Sequence, residues 1–229
     1  MDAVFFDFNG VLVDDEHLHL SGFNAVLSKF GVHLDAAEYE ARYIGFDDRG
    51  AFAHALRDHG LDCDAAQLAA LIDEKAAFYA AAAARELCVF EGAARLLREA
   101  AARAPVAVVS GALRAEIVLG LGVLGASGAP RCIVAAEDVS ACKPDPEGYL
   151  LALKTLRAQG LSLDPARVVV IEDTPAGVAA GRAAGLTVVG VGHSVAPEKL
   201  RAAGAVQTVK HLREMHFSML EAAAATVIG

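Results

Sequence analysis

Short blocks of consecutive apolar residues recur along the chain, and between them apolar positions fall at helical spacing. The blocks around Val4, Phe5 and Phe6, then 106–109, 132–135, 168–171 and 187–191, are too continuous for a half-exposed strand and predict strands buried on both faces. From residue 91 onward these blocks alternate with helical stretches, a pattern that predicts an α/β fold with a doubly wound, mostly parallel sheet. Residues 14–88 differ, because no convincing strand interrupts them. Leu18, Phe23, Val26, Leu27 and Phe30 lie near a helical period, as do Phe52 and Leu56, and later Leu68, Leu71 and Ile72. Alanine runs such as 80–84 favour helix further. The predicted organisation is an α/β core from 1–13 and 89–229, with an all-helical cap, 14–88, inserted after the first strand.

Polar residues punctuate the ends of four strand blocks. The first ends in Asp7-Phe8-Asn9-Gly10, the second in Ser110-Gly111, and the fourth in Glu172-Asp173; Lys143-Pro144 follows the third after a short connection. Open α/β sheets bind ligands in the crevice at the carboxyl ends of their strands, so these groups are expected to face one another. Each would supply something different to phosphoryl transfer. Asp7 is placed to attack phosphorus as a carboxylate nucleophile. Ser110 and the amides around Gly111 donate hydrogen bonds to non-bridging oxygens, and Lys143 adds a fixed positive charge. Glu172 and Asp173 are hard oxygen ligands suited to Mg²⁺.

Taken in order, these motifs resemble the haloacid dehalogenase superfamily, and within it the β-phosphoglucomutase-like phosphatases with a small helical cap. The resemblance runs through Asp7-Phe8-Asn9-Gly10-Val11, Val109-Ser110-Gly111, Lys143-Pro144, Glu172-Asp173, Gly177 and Ala183-Ala184-Gly185. Any one of these recurs by chance, whereas four in order after strands are specific. The resemblance implies a Rossmann-like core and a Mg²⁺-dependent phosphatase acting on a small phosphorylated metabolite through an aspartyl-phosphate at Asp7. It implies Asp7, Asn9 and Lys143 as catalytic residues, and Ser110, Gly111 and Lys143 as phosphate binders. Asp7, Asp173, Glu172 and the backbone carbonyl of Asn9 would hold the metal.

The chain departs from this family at Asn9, where a second carboxylate normally protonates the leaving oxygen and then activates water. An amide does neither at neutral pH, and losing a general acid or base typically costs on the order of 10²–10⁴ in rate. Three readings fit: a slow or specialised hydrolase in which Asn9 only orients water, a binding protein that keeps the cradle, and an engineered Asp-to-Asn change that traps a complex. A sugar-phosphate mutase is the alternative enzyme, and Asn9 counts against it more heavily, since both of its half-reactions need a proton shuttle. The polar cluster Asp14, Asp15, Glu16 and His17 is expected to cap the first cap helix; the other reading makes it a substitute acid/base, with Asp14 or Glu16 ahead of His17. In the segment 45–50, Asp47 is expected to cap a helix start; the functional reading makes this turn a specificity loop with Arg49 meeting the substrate.

Composition narrows the classes without changing this picture. The 229-residue chain carries a formal charge of −9, which opposes binding to a nucleic-acid backbone but not to one small anion in a local ring of donors. Cys63, Cys88, Cys132 and Cys142 form no CxxC pair and read as reduced thiols. The eight histidines show no metal-ligand pair at helical spacing and read as surface or core residues. No apolar run approaches bilayer length, and the first is interrupted by Asp7. The expectation is a cytoplasmic protein, monomeric or weakly dimeric, with no nucleic-acid or membrane partner.

Overall fold

The strand blocks lie side by side in one six-stranded parallel sheet, seen in a computed structural model that describes residues 1–43 and 46–226. In chain order the strands are β1 (Ala3–Phe6), β4 (Val106–Val109), β5 (Cys132–Val134), β6 (Val168–Glu172), β7 (Thr187–Val191) and β8 (Gln207–Val209). Their spatial order is β5-β4-β1-β6-β7-β8, with β1 at the centre, where Phe5 lies opposite both Ala107 and Val170. Both faces of this sheet are covered, which is why its central strands are apolar. Phe5 packs into the cluster built with Tyr149, Leu153 and Leu156, while its neighbour Phe6 points the other way, into the cluster of Leu96, Leu97, Ile117 and Leu220. That alternation is the period of two of a strand, used to fill two cores at once.

Between β1 and β4 come four helices, α1 (Glu16–Leu27), α2 (Ala36–Arg42), α3 (Asp48–Asp58) and α4 (Ala65–Glu86). They enclose an apolar cluster of their own around Phe23, Leu27, Tyr43, Phe52 and Leu56. The chain enters and leaves them through a short antiparallel ribbon, β2 (Val13–Asp14) paired with β3 (Cys88–Val89). α4 begins with a reciprocal capping box, Asp64 accepting from the Gln67 amide and Gln67 from that of Asp64. The remaining helices, α5 (Ala93–Arg103), α6 (Arg114–Val123), α7 (Glu147–Ala158), α8 (Pro175–Ala183), α9 (Pro197–Ala202) and α10 (Phe217–Thr226), belong to the sheet half of the chain. Among the described residues no helix is long and apolar enough to cross a membrane.

Three details differ from the sequence pattern. β8 is short and partly polar, and β2 and β3 are too short to carry a period, so none of them shows as an apolar block. Phe30 keeps the spacing of α1 but lies beyond its end, in a 3₁₀ turn, and is exposed. Because Phe6 is fully buried in the larger cluster, Phe6→Ala is expected to cost about 3–5 kcal/mol in urea unfolding; a loss under about 1 kcal/mol would contradict this packing.

Candidate active site

Asp7 is the first residue past β1, and its amide still donates to the Ile171 carbonyl of β6 at 3.0 Å, so the sheet itself aims the side chain. The chain then turns sharply at Gly10, whose φ of 73° suits glycine. A Cβ at Gly10 would also overlap the Asp173 carboxylate, so the turn and the acid need each other's shape. His193 holds the turn from the β7 side. Its Nε2 accepts from the Leu212 amide at 3.1 Å, which leaves Nδ1–H to donate to the Gly10 carbonyl at 2.9 Å. The ring stacks on Phe90, and burial pulls its pKa below the ordinary imidazole range.

Lys143 reaches in from the loop after β5. Its Nζ lies 2.9 Å from Asp7 Oδ1 and 2.6 Å from Glu172 Oε1, and it also donates to the Val109 carbonyl at 3.2 Å. Glu172 accepts from the Tyr149 hydroxyl at 2.7 Å through the same oxygen, while its Oε2 accepts from the Asp173 amide at 3.1 Å. Gly177, in the first turn of α8, leaves the space that this carboxylate fills. Asp173 accepts from the Ser194 hydroxyl through Oδ2, and its Oδ1 is buried without a hydrogen-bond partner.

Oxygens of Asp7, Glu172 and Asp173 lie within 4.8 Å of one another. Burial pushes the Asp7 carboxyl up to about 6, with Lys143 opposing the rise and Glu172 adding to it. Burial, then Asp7 and Glu172, push Asp173 well above the carboxylate range. Crowded carboxylates with one orphaned oxygen are a donor set that fits a hard divalent cation. Within this set Asp7 and Asp173 have the free oxygen atoms, whereas Glu172 is largely committed to Lys143, Tyr149 and backbone amides.

The acids of 14–17 do not do what the sequence suggests. Asp15 occupies the cap position of α1 but makes no capping bond. Its fully buried carboxylate instead accepts both from Asn9 Nδ2, at 3.1 and 2.9 Å, and from the Tyr79 hydroxyl. Glu16 accepts from the Tyr39 hydroxyl at 2.9 Å, while Asp14 and His17 are exposed. Asn9 Oδ1 in turn accepts from Ser110 Oγ at 3.1 Å, so the amide bridges the serine after β4 and the cap.

Behind this bridge stands His19, with Nε2 3.1 Å from Asn9 Nδ2 and 3.3 Å from Asp15, and Nδ1 2.6 Å from Lys75 Nζ. Lys75 is fully buried and also meets Asp48 at 2.5 Å and, across the cap boundary, Glu116 of α6 at 3.9 Å. Donation from an ammonium makes Nδ1 the acceptor and leaves Nε2–H to face Asp15.

One cavity between the strand ends and the cap joins these groups, lined by Asp7, Asn9, His19, Ser110, Gly111, Lys143 and Asp173 among others. His19, read from sequence as an ordinary histidine, thus belongs to the site, as do Tyr149 and Ser194. Their signal was absent: Tyr149 and Ser194 lie more than twenty positions from the acids they support, and His19, ten positions past Asn9, gains its role only through packing against α4. Asp47 caps α3 as expected, its Oδ1 accepting from the Gly50 amide at 2.8 Å. Arg49 is exposed on α3 and does not line the cavity, and Gly45 lies outside the described residues.

A family model described as haloacid dehalogenase-like hydrolase matches residues 1–185. The validoxylamine A 7'-phosphate phosphatase of Streptomyces hygroscopicus subsp. limoneus is 31% identical over 81% of this chain and 83% of its own. The phosphorylated carbohydrates phosphatase of Thermotoga maritima is 28% identical over 92% of this chain and 94% of its own. Among solved structures, an Asp-to-Asn mutant of CbbY from Rhodobacter sphaeroides in complex with xylulose-(1,5)bisphosphate superposes with a TM-score of 0.85. That match has 27% identity and covers 96% of this chain and 99% of the other.

Two outcomes follow from the contacts of the turn. Asn9→Asp would set a carboxylate against both oxygens of Asp15, losing two charge-assisted hydrogen bonds. A cost on the order of 2 kcal/mol is expected, a fall of roughly 4–8 °C in Tm that Asp15→Asn in the same chain should largely reverse. An unchanged Tm in the single variant would sink this account. His193 is held neutral in the fold with a lowered pKa, so the unfolded chain binds more protons. Stability present above the ordinary imidazole pKa of about 6.5 should therefore drain as the pH falls below it. Thermal unfolding at neutral and mildly acidic pH should show a smaller acid loss in His193→Asn than in the parent.

Proposed function

Because the chain belongs to the haloacid dehalogenase-like hydrolases, we propose that it is a Mg²⁺-dependent phosphatase of small phosphorylated carbohydrates, working through an aspartyl-phosphate at Asp7. The observation that carries this reading is the placement of Asp7. Its oxygen sits 2.9 Å from the Lys143 ammonium, on the floor of a cavity shared with Ser110 and Asp173. The comparisons support phosphoric monoester hydrolysis as the activity; the metal, the individual roles and the substrate are our reading.

Asp7 attacks phosphorus, forming an acyl-phosphate bond as the bond to the sugar oxygen breaks and that oxygen takes a proton from solvent water; a second water then attacks phosphorus, gives its proton to solvent, and releases inorganic phosphate and the Asp7 carboxylate. Lys143 and Ser110 hold the non-bridging oxygens, Ser110 by turning its one hydroxyl hydrogen from Asn9 Oδ1 to the phosphoryl group. Asp7 and Asp173, with the Asn9 carbonyl, would hold Mg²⁺, which when bound offsets charge on the phosphoryl oxygens. Glu172 serves by fixing Lys143. Asn9 contributes position and no proton: its backbone carbonyl is the one that would face Mg²⁺, while its side-chain Nδ2 is held by Asp15 and its Oδ1 faces Ser110. A mutase reading would require proton transfer in both half-reactions at this residue, so hydrolysis is favoured. The cap, 14–88, closes over the core, 1–13 and 89–229, with the β2–β3 ribbon as its hinge.

Phosphate release from a panel of small phosphoesters should require Mg²⁺ and stop with a chelator. Asp7→Asn should lower it by at least about 10³-fold, as expected for loss of a nucleophile. Turnover that survives in Asp7→Asn would exclude the aspartyl-phosphate route.

A further inference from the structure

The cavity is electrostatically divided. Its floor holds Lys143, and no other lysine or arginine lines it among the described residues. The cap side presents the carboxylates of Glu16, Asp47 and Asp48 beside the aromatic side chains of Phe23, Tyr39 and Phe46. Lys75 is fully buried and pairs with Asp48 Oδ1 and His19 Nδ1, so it offsets the charge of Asp48 and leaves Glu16 and Asp47 as the cap-side carboxylates without a cation. Asp48 Oδ2 is left buried with no hydrogen-bond partner. Tyr39 fixes Glu16 through one oxygen, and burial pushes that carboxyl above its ordinary range. These are acceptors held in place and short of donors.

From this division we infer that the cap half selects a leaving group that is hydroxylated or aminated and carries no second phosphate, with Glu16 and Asp48 as the specificity-determining residues. The inference rests on the phosphatase reading for which end of the cavity takes the phosphoryl group. Hydroxyl and ammonium groups supply the donors that Glu16 and Asp48 lack, and the aromatic wall accepts the apolar face of a carbon skeleton. A distal phosphate would bring acceptors and negative charge to a wall that already has both. Like-charge juxtaposition of this kind is how a site excludes an otherwise similar ligand. The chain would thereby differ in specificity from the CbbY structure it resembles, which holds a bisphosphate.

Calorimetry with Mg²⁺ and non-hydrolysable phosphonates reads this directly and needs no turnover. The probes are analogues of a hexose 6-phosphate, its 2-amino-2-deoxy form and the hexose 1,6-bisphosphate. The monophosphonate should bind at least about tenfold more tightly than the bisphosphonate, and the amino analogue at least as tightly as its parent. Glu16→Gln, which keeps an acceptor for Tyr39 while removing the charge, should narrow the mono-to-bis gap several-fold. Equal or tighter binding of the bisphosphonate, binding of none of the probes, or a gap that Glu16→Gln leaves in place overturns the inference. Failure of the hydrolase reading shows separately, as no Mg²⁺-dependent phosphate release while these binding preferences hold.

Discussion

Lys143 makes it possible for three acids to share the end of one sheet. β1 and β6 are neighbours with Phe6 opposite Ile171, so Asp7, Glu172 and Asp173 emerge side by side however the rest of the chain is arranged. At such separations each like-charged pair repels by about 4 kcal/mol in a medium of intermediate permittivity. The ammonium between Asp7 and Glu172, the Tyr149 hydroxyl and the amide of Asp173 offset much of this. Burial above all keeps the Asp7 and Asp173 carboxyls raised, and at Asp173 the neighbouring Asp7 and Glu172 add to it. What remains is a crowded, buried set of oxygen donors that would suit a divalent cation.

A second charge centre lies in the cap, and its logic is different. Lys75 is buried among His19, Asp48 and Glu116, partners drawn from three helices on both sides of the cap boundary. A buried cation with carboxylate partners is worth less for stability than for registry, because removing any partner leaves an uncompensated charge. Here the registry couples two things: where the cap sits on α6, and where the Asn9–Asp15 contact points. The cap helices therefore take part in defining the floor of the cavity as well as its roof.

The sheet was legible in the sequence because a strand buried on both faces needs no partner information to be recognised: Val106–Val109 and Thr187–Val191 match the pattern residue for residue. Asp7, Ser110, Lys143 and Asp173 were legible because each directly follows such a block or the short loop after it. Asp15, His19 and Tyr79 were not, since their roles come from helix packing that brings together residues up to 64 positions apart. Asp15 misled in particular, because an acid before a helix has a local explanation, capping, that looks sufficient. Only the half-buried amide of Asn9 beside it shows why capping lost. Arg49 misled for the converse reason: a cation in a turn near the site suggests an anion, but the turn of α3 directs it to solvent.

The Asn9–Asp15 contact also changes how the missing carboxylate should be understood. A chain that had merely lost an acid at position 9 would leave Ser110 and the cap facing a neutral gap. Here the negative charge stands one step further back, at a fully buried Asp15 that takes both amide contacts of Asn9 and the hydroxyl of Tyr79. Such a carboxylate is costly to bury alone and is tolerated because its neighbours are donors. An amide at position 9 supplies those donors, and a second carboxylate there would not. Asn9 and Asp15 are thus complementary halves of one arrangement, which holds the turn after Asp7 against the cap with an amide pointing inward. In this chain the identity of residue 9 is set by the cap as much as by the chemistry at Asp7.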